Sequence, residues 1–391
     1  MTLRIGAALS QNGDPRAAAI EAAQEAAAAL AGERADVAVV FASGTHLTAP
    51  EAVLEGVQEA LAPGQLVGCG ASGVLAAGVE VEAGTALAVW AAALGDGAVH
   101  AFHSTSVSAQ RPGLDPVAVR LSGVPEVGGA SAVIVLPDPY TFDTDALLFT
   151  LRDQRPQMPV LGGHVSGRTA EGGAALFVGE DVVEDGAVGL VFEGVTVMPC
   201  VSQGAAPLGP ELTITGCEGR VIHELAGKPA LVKLREVFDE LSEHDRALLG
   251  TGLLLGLVID SGQPEYEQGD FLVRGVVGAD TDNGSIALGE GVHAGQIVRL
   301  HARNAASADL DLNEALRARR EALGGSAAGA LCFTCTGRGR AMFGEADHDA
   351  AALARVLDGA AAGFFAVGEI GPVHGECRQH SFSASVAVFG D

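Results

Sequence analysis

The sequence predicts a mixed α/β fold, in which repeated strand–helix–strand–hairpin units form mixed β-sheets flanked by helices. Apolar runs of strand length alternate with helix-like stretches, and the same order of elements recurs along the chain. Other strand-like runs follow one another without a helix between them, which indicates antiparallel pairs beside parallel ones. A stretch rich in glycine and proline at 201–210 predicts a boundary, so we expect two domains, 1–205 and 206–391.

The repeated unit consists of a strand, a helix, a second strand and a glycine-rich turn. The first copy has its strands at 37–41 and 65–67, with a helix that begins near Pro50 between them. The other two copies have their strand, helix and second strand at 133–136, 143–155 and 159–161, and at 330–333, 347–357 and 363–367. Each turn carries two glycines five positions apart: Gly68 and Gly73, Gly162 and Gly167, Gly363 and Gly368. Glycine ends strands often, but three pairs after the same elements predict an internal repeat.

The region between the second and third units has a different pattern. It contains a short hairpin at 212–223, a helix that begins near Pro229, and several strand-like runs. The sequence Asp282-Asn283-Gly284 is typical of a tight turn between two of these strands. An amphipathic helix at about 309–323 then leads into the third unit.

Composition excludes several classes of function. With 49 acidic and 23 basic residues the net charge is −26, and such a surface repels nucleic acid and anionic lipid. The charge is explained by a need for solubility or by a halophilic host. No apolar run is long enough to span a membrane, and the N-terminus lacks a secretory signal. Six scattered cysteines fit a reducing compartment, so we expect a cytoplasmic protein.

The loop after the first strand of the third unit is the strongest candidate ligand site. It contains Cys335, Gly337, Arg338 and Gly339, and it lies at the carboxyl end of a strand, where α/β folds commonly bind ligands. The glycines allow a ligand to approach the backbone, and Arg338 can bind a carboxylate or phosphate through two hydrogen bonds. A nearby cation also lowers the pKa of a thiol such as that of Cys335. The alternative is a tight loop whose arginine pairs with a structural carboxylate.

A second candidate loop is formed by Gly368, Glu369 and Ile370, with His374 shortly after them. Glu369 is one acid among glycines and apolar residues, which predicts partial burial and a specific partner. Because both loops follow strands of one unit, we expect Glu369 and Arg338 to lie close together. His374 is a residue that titrates near neutral pH, or else an ordinary surface histidine.

Four further candidates lie in the turns of the first and second units. Cys69 and His164 occupy such turns and are expected to face one cleft, while Ser72 and Ser166 precede the second glycine of their turns. The two serines fit ligand contacts or ordinary turn hydrogen bonds, and we favour the latter. No glycine-rich loop is followed by Lys-Ser or Lys-Thr, and no ligand cluster has zinc-site spacing, so we predict no cofactor and no metal.

The third unit resembles the C-terminal FIST domain through the run 363–372, preceded by Cys335-Thr336-Gly337-Arg338-Gly339. The first unit resembles the N-terminal FIST domain from 66 to 94, and the likeness covers most of the chain. One departure is Gly73-Val74-Leu75, where the family has Gly-Glu-Ile. If that acid contributes to a ligand site in the N-terminal half, this chain lacks it.

The resemblance implies a FIST N-terminal domain at 1–205 and a FIST C-terminal domain at 206–391. Proteins of this family are regarded as bacterial sensors of small molecules, with amino acids or related carboxylates suggested as ligands. It therefore implies a stand-alone sensor that acts through a separate signalling partner, with Arg338 holding a carboxylate and Glu369 an amine. The alternative from the residues is a thiol-dependent hydrolase or transferase that uses Cys335, with His374 within reach.

Overall fold

A computed structural model describes residues 2–109, 118–250, 252–260, 262, 265–266 and 268–390. The helices of these residues are α1 (Pro15–Ala28), α2 (Pro50–Leu61), α3 (Thr144–Gln154), α4 (Ala230–Glu240), α5 (Glu243–Leu249), α6 (Ala305–Ala322), α7 (Arg340–Phe343) and α8 (His348–Leu357). Short 3-10 turns lie at Gly44–Thr48 and Gln268–Asp270. None of the helices in the described ranges combines the length and the apolar character that a membrane crossing requires.

The strands up to residue 203 are β1 (Arg4–Ser10), β2 (Val37–Ser43), β3 (Gln65–Ala71), β4 (Val74–Ala76), β5 (Val79–Val81), β6 (Ala86–Ala93), β7 (Ala98–Ala109), β8 (Ala118–Ser122), β9 (Ala130–Pro137), β10 (Val160–Gly163), β11 (Leu176–Val178), β12 (Asp181–Val183), β13 (Ala187–Glu193) and β14 (Thr196–Gln203). The later strands are β15 (Ala205–Glu218), β16 (Val221–Leu225), β17 (Lys228–Pro229), β18 (Leu254–Val258), β19 (Phe271–Asp280), β20 (Ser285–Leu288), β21 (Ile297–Arg303), β22 (Gly329–Cys335), β23 (Ala360–Ala366), β24 (Glu369–Val373), β25 (Glu376–His380) and β26 (Ser383–Gly390). These elements confirm the predicted mixed α/β class.

The chain forms two compact units. The larger comprises Met1–Ser202, Leu312–Gln379 and Ala384–Asp391, and the smaller comprises Gln203–Asp311 and His380–Ser383. Each unit is therefore assembled from separate parts of the sequence. The predicted division into 1–205 and 206–391 stays a prediction about sequence domains.

Three sheets of the larger unit share one plan. In each, the two strands of a repeat pair in parallel, and a returning strand pairs antiparallel with the first: β2, β3 and β6; β9, β10 and β13; β22, β23 and β26. The helices between the parallel strands begin within a few residues of the predicted positions, and the two whose ends were predicted, α3 and α8, also end there. The predicted internal repeat is confirmed.

The hairpin of each repeat joins the sheet of another repeat. The hairpin β4–β5 pairs with β23, β11–β12 pairs with β3, and β24–β25 pairs with β10. The exchange is cyclic, because every sheet gives one hairpin and receives one. It ties the three repeats to one another through backbone hydrogen bonds.

The repeated glycines are required by close backbone contacts. A Cβ atom on Gly363 would lie 1.8 Å from the carbonyl oxygen of Cys332, and one on Gly162 would lie 1.8 Å from that of Val135. The equivalent contact in the first repeat joins Gly68 to the carbonyl of the facing strand. Real Cβ atoms do not approach so closely, so any other residue would push the parallel strands apart.

The core of the larger unit lies where the three sheets face each other. Several aromatic side chains meet there: Phe41 packs against Phe364, with ring centroids 5.1 Å apart, and Trp90 packs against Phe389 at 5.0 Å. Separate apolar clusters fill the spaces between each sheet and its helices. Alternate residues of one strand thus serve both layers, which explains the unbroken apolar runs in the sequence.

The smaller unit contains one antiparallel sheet in the order β15-β21-β18-β19-β20-β16-β17, and β15 also pairs with β16, so that the sheet closes on itself. Helix α4 covers its apolar cluster through Leu234 and Val237. The stretch 201–210, where the sequence predicted a boundary, contains the division between the two units, at Ser202 and Gln203, although β14 and β15 occupy most of it. A register shift between Leu208 and Glu211 accommodates Gly209 and Pro210 in the strand.

Candidate functional site

A polar cavity of about 370 Å³ lies at the carboxyl ends of the parallel strands β9 and β10. We call it the His164 pocket, and its wall consists of Ser106, Pro139, Tyr140, Thr141, Phe142, Asp143, Thr144, Asp145, His164 and Gln379. Its size falls within the range of small-molecule sites. The position matches the general location of ligands in α/β sheets, beyond the carboxyl ends of parallel strands.

His164 is fixed at the pocket by its glycine-rich turn. Its backbone N–H donates to the carbonyl of Gly368 at 2.8 Å, and its carbonyl accepts from the N–H of Val367 at 3.2 Å. The Nε2 atom lies 2.9 Å from the hydroxyl of Thr144 at the start of α3. Burial lowers the pKa of His164 to about 4, although Asp145 and Asp138 oppose the shift. The imidazole is therefore neutral at pH 7 and can both donate and accept a hydrogen bond.

The loop between β9 and α3 contributes several residues to the pocket wall. Asp138 is fully buried and accepts hydrogen bonds from Arg168 and from the Thr141 hydroxyl, which is 2.7 Å away. The Arg168 guanidinium also lies over the ring of Tyr140, 4.5 Å from its centroid. Because Tyr140 is 82% exposed, it stands at the rim of the pocket as an accessible aromatic ring.

The first turn of α3 brings two carboxylates to the pocket. Asp143 caps the helix by accepting from the N–H of Ala146 at 2.9 Å. Asp145 accepts from the side-chain amide of Gln379 at 2.6 Å, and Gln379 comes from the hairpin of the third repeat. The wall thus combines negative side chains with the positive end of a helix dipole, which suits a ligand that carries both signs of charge.

The structure gives Arg338 a partner other than the expected one. Its Nε and Nη2 atoms each lie 2.8 Å from the carboxylate of Asp349 in α8, so the predicted pairing with Glu369 is wrong. Burial disfavours both charges, but the attraction and hydrogen bonds between them dominate: they hold the pKa of Asp349 far below its usual range and raise that of Arg338. Phe343 covers the guanidinium, whose carbon lies 5.1 Å from the ring centroid. Arg338 therefore forms a buried structural ion pair, the alternative that the sequence left open.

A second acid at this end of α8 comes from the exchanged hairpin of the first repeat. Glu80 accepts from the N–H of Ala350 at 2.9 Å, and its own N–H donates to Asp347 at 2.6 Å. It therefore caps a helix of another repeat. Burial, followed by the charge of Asp349, raises the pKa of Glu80 to about 7. Sequence reasoning missed this residue, and its only signal was a lone acid between Val79 and Val81 in a short strand.

The other residues of the two predicted loops are dispersed. Glu369 is fully buried on β24 opposite Gly163, while Ile370 packs into the cluster under α3. His374 is exposed in the turn between β24 and β25, with a φ of 50°. Gly337 donates its N–H to the sulfur of Cys335 at 3.4 Å, and Gly339 has a φ of 78° that precedes α7. That these residues bind a ligand stays a prediction.

Cys69 and His164 do not share the cleft that the sequence predicted. Cys69 is fully buried in the central core, and burial raises the pKa of its thiol well above the ordinary value. Ser72 and Ser166 do meet, because the Ser72 N–H donates to the Ser166 hydroxyl at 2.9 Å and the two hydroxyls lie 3.2 Å apart. This is the turn bonding that the repeat favours.

Comparison with known proteins gives a consistent picture over the whole chain. The model of the FIST N domain matches residues 36–228, and that of the FIST C domain matches residues 230–372. The uncharacterized protein Mb0898c of Mycobacterium bovis is 40% identical over 396 residues, which cover 100% of this chain and 99% of the relative. The uncharacterized protein Rv0628c of Mycobacterium tuberculosis is 40% identical over 391 residues, which cover 100% of both chains.

Proposed function

The chain belongs to the FIST family, and on that premise we propose that it is a cytoplasmic sensory protein that binds a small polar ligand in the His164 pocket. FIST domains are associated with the sensing of small ligands in signalling. A sensor of this kind passes its state to a separate output protein, which would recognise the liganded form.

The observation that carries the proposal is the composition of the pocket wall. Neutral His164, the Thr144 hydroxyl and the first turn of α3 provide hydrogen-bonding groups that converge on one cavity. Sites of this size bind ligands through a few polar groups of fixed position, and His164 is fixed on both sides of its backbone. The groups hold a ligand without supplying an activated nucleophile, which favours binding over catalysis.

The ligand class that fits best is a free amino acid. Its carboxylate would lie at the N-terminal turn of α3, where backbone N–H groups and the helix dipole favour an anion. Its ammonium group would lie at the carboxylates of Asp143 and Asp145. The sequence predicted such a ligand at Arg338 and Glu369, whereas the composition of the pocket wall favours a site in the second repeat.

The test is a thermal-shift screen of the intact chain against amino acids, followed by calorimetry of the hits. We expect Asp145→Asn to weaken binding tenfold or more, because it removes a charge-assisted hydrogen bond. The control is Asp153→Asn, which changes an exposed carboxylate of the same helix outside the pocket. The affinity of each amino acid that binds is also compared with that of its decarboxylated amine and its deaminated acid. This comparison shows how much the carboxylate and the ammonium group each contribute to binding. A flat response to all amino acids, or equal affinity in both variants, would contradict the proposal.

A further inference from the structure

We propose that a second cavity of the larger unit binds a small oxyanion that carries two or more negative charges. The cavity has a volume of about 450 Å³ and lies where the last turns of α6 and α8 meet. We call it the arginine cavity, and its wall consists of Arg317, Arg320, Glu321, Gly325, Arg355 and Val356. It is distinct from the His164 pocket and shares no residue with it.

Two of the arginines are held in place by neutral acceptors. Arg320 donates from Nε to the carbonyl of Gly325 at 2.7 Å and from Nη1 to that of Val356 at 2.8 Å. Arg355 donates from Nη2 to the side-chain oxygen of Asn313 at 2.9 Å. These bonds fix the guanidinium groups but leave their positive charges without a counterion.

None of the three arginines forms a salt bridge with a carboxylate of the described residues. This is informative in a chain where acidic groups outnumber basic ones by 49 to 23. Glu321 provides the one negative side chain of the wall, so the wall has an excess of two positive charges. Like charges that converge on one cavity are costly unless an anion compensates them.

Helix capping accounts for only part of this arrangement. Arg320 covers the carbonyl ends of both helices, as basic residues near helix C-termini often do. Arg317 has no hydrogen bond to a described residue, and Arg355 bonds to a side chain rather than to a helix end. Because α6 places Arg317 and Arg320 three residues apart, both lie on one face of the helix beside the cavity. An oxyanion with two charged ends would contact arginines of both helices at once.

The experiment is calorimetric titration of the intact chain with pyrophosphate, citrate and inorganic phosphate at low and physiological salt. We expect pyrophosphate or citrate to bind, and Arg317→Ala and Arg355→Ala each to weaken that binding at least tenfold. The control is Arg120→Ala, which removes an exposed arginine of β8 that lies far from the wall in sequence and whose side chain forms no hydrogen bond or ion pair with a described residue. Substitution of Asp145 in the His164 pocket should leave the binding unchanged.

The outcomes separate the sources of the anion. Binding of pyrophosphate alone assigns the cavity to phosphate compounds, binding of citrate alone assigns it to carboxylates, and binding of both supports the shared oxyanion chemistry. Thermal melts without ligand show whether each variant is folded, and Arg317→Lys tests whether charge alone suffices in a variant that keeps the cation. The proposal is overturned if no probe binds at millimolar concentration, or if Arg120→Ala weakens binding as much as the cavity variants do.

Discussion

Replacement of Glu80 by glutamine should change how the stability of the chain depends on pH. Glu80 is 9% exposed, its Oε1 atom accepts from the first turn of α8, and Asp349 lies close enough to disfavour its ionisation. Glutamine keeps the oxygen that accepts from Ala350 but cannot ionise. The substitution therefore removes the charge while it preserves the capping geometry.

The size of the effect follows from the pKa of Glu80. A pKa of about 7 in the folded chain, against an ordinary value of 4.5, means that folding favours the protonated form. The stabilisation is fully present below pH 4.5, falls as the pH rises, and is lost above about pH 7. Over that window of about 2.5 pH units the loss is about 3.5 kcal/mol, because each pH unit contributes about 1.4 kcal/mol. Glu80→Gln should lack this loss and become more stable than the wild type at alkaline pH.

The assay is urea unfolding of both proteins at several pH values between about 5 and 8.5. Trp90 is the one tryptophan of the chain and is fully buried in the core of the larger unit, so its fluorescence reports the unfolding of that unit. When the free energies of unfolding of the two proteins are subtracted at each pH, the contributions of the other titrating groups cancel. Glu82→Gln, on the same chain segment but less buried, is the control and should give a smaller change. A difference that does not vary with pH would refute the reasoning.

Three other substitutions or reactions test the structure. Arg338→Ala should reduce the free energy of unfolding by about 3 kcal/mol or more in urea titrations, because it leaves a buried carboxylate without its counterion, and a loss below about 1 kcal/mol would contradict the ion pair. Iodoacetamide followed by mass spectrometry should label Cys217 before Cys332, whose burial raises its pKa, and the reverse order would point to thiol chemistry in the third repeat. Gly363→Ala should lower the melting temperature by several degrees or prevent folding, whereas Gly128→Ala, at a position with open space around it, should leave the melting temperature nearly unchanged. Equal melting temperatures for the two variants would mean that Gly363 does not contact the neighbouring strand so closely.

The internal repeat could be predicted from the sequence because its cause is local. Each first glycine meets the carbonyl of the neighbouring parallel strand, and that contact excludes every larger residue at the same point of the unit. The exchange of hairpins could not be predicted in this way. Strand periodicity fixes which residues face the core, but it does not say whether β4 pairs with a strand of its own repeat or with β23.

The partner of Arg338 was predicted wrongly for a related reason. Two loops that follow strands of one repeat need not present their side chains to the same layer. Arg338 joins Asp349 of α8, on the helix side of its sheet, whereas Glu369 lies on β24 in the sheet of the second repeat. Alternation along a strand determines the layer only after the pairing of the strand is known, and here the pairing crosses between repeats.

His164 was found because it occupies a glycine-rich turn of the repeat, while the acids beside it were missed although they lie on the segment between β9 and α3. Asp143 and Asp145 look like ordinary helix-start residues, and only the fold shows that the same turn also borders a cavity. In a sequence, residues at a helix start indicate only a helix cap, whereas the structure shows whether they also border a cavity.

The cyclic exchange gives the His164 pocket a property that bears on sensing. Its wall combines the second repeat with Gln379, which arrives on the hairpin of the third repeat. A ligand that contacts both parts would bind the docked hairpin better than a displaced one, so its binding energy would favour the docked state. The same logic applies at α8, where the hairpin of the first repeat delivers Glu80 with a pKa of about 7. The contacts between the exchanged hairpins and the neighbouring repeats are therefore also the contacts whose stability a bound ligand or a proton can change.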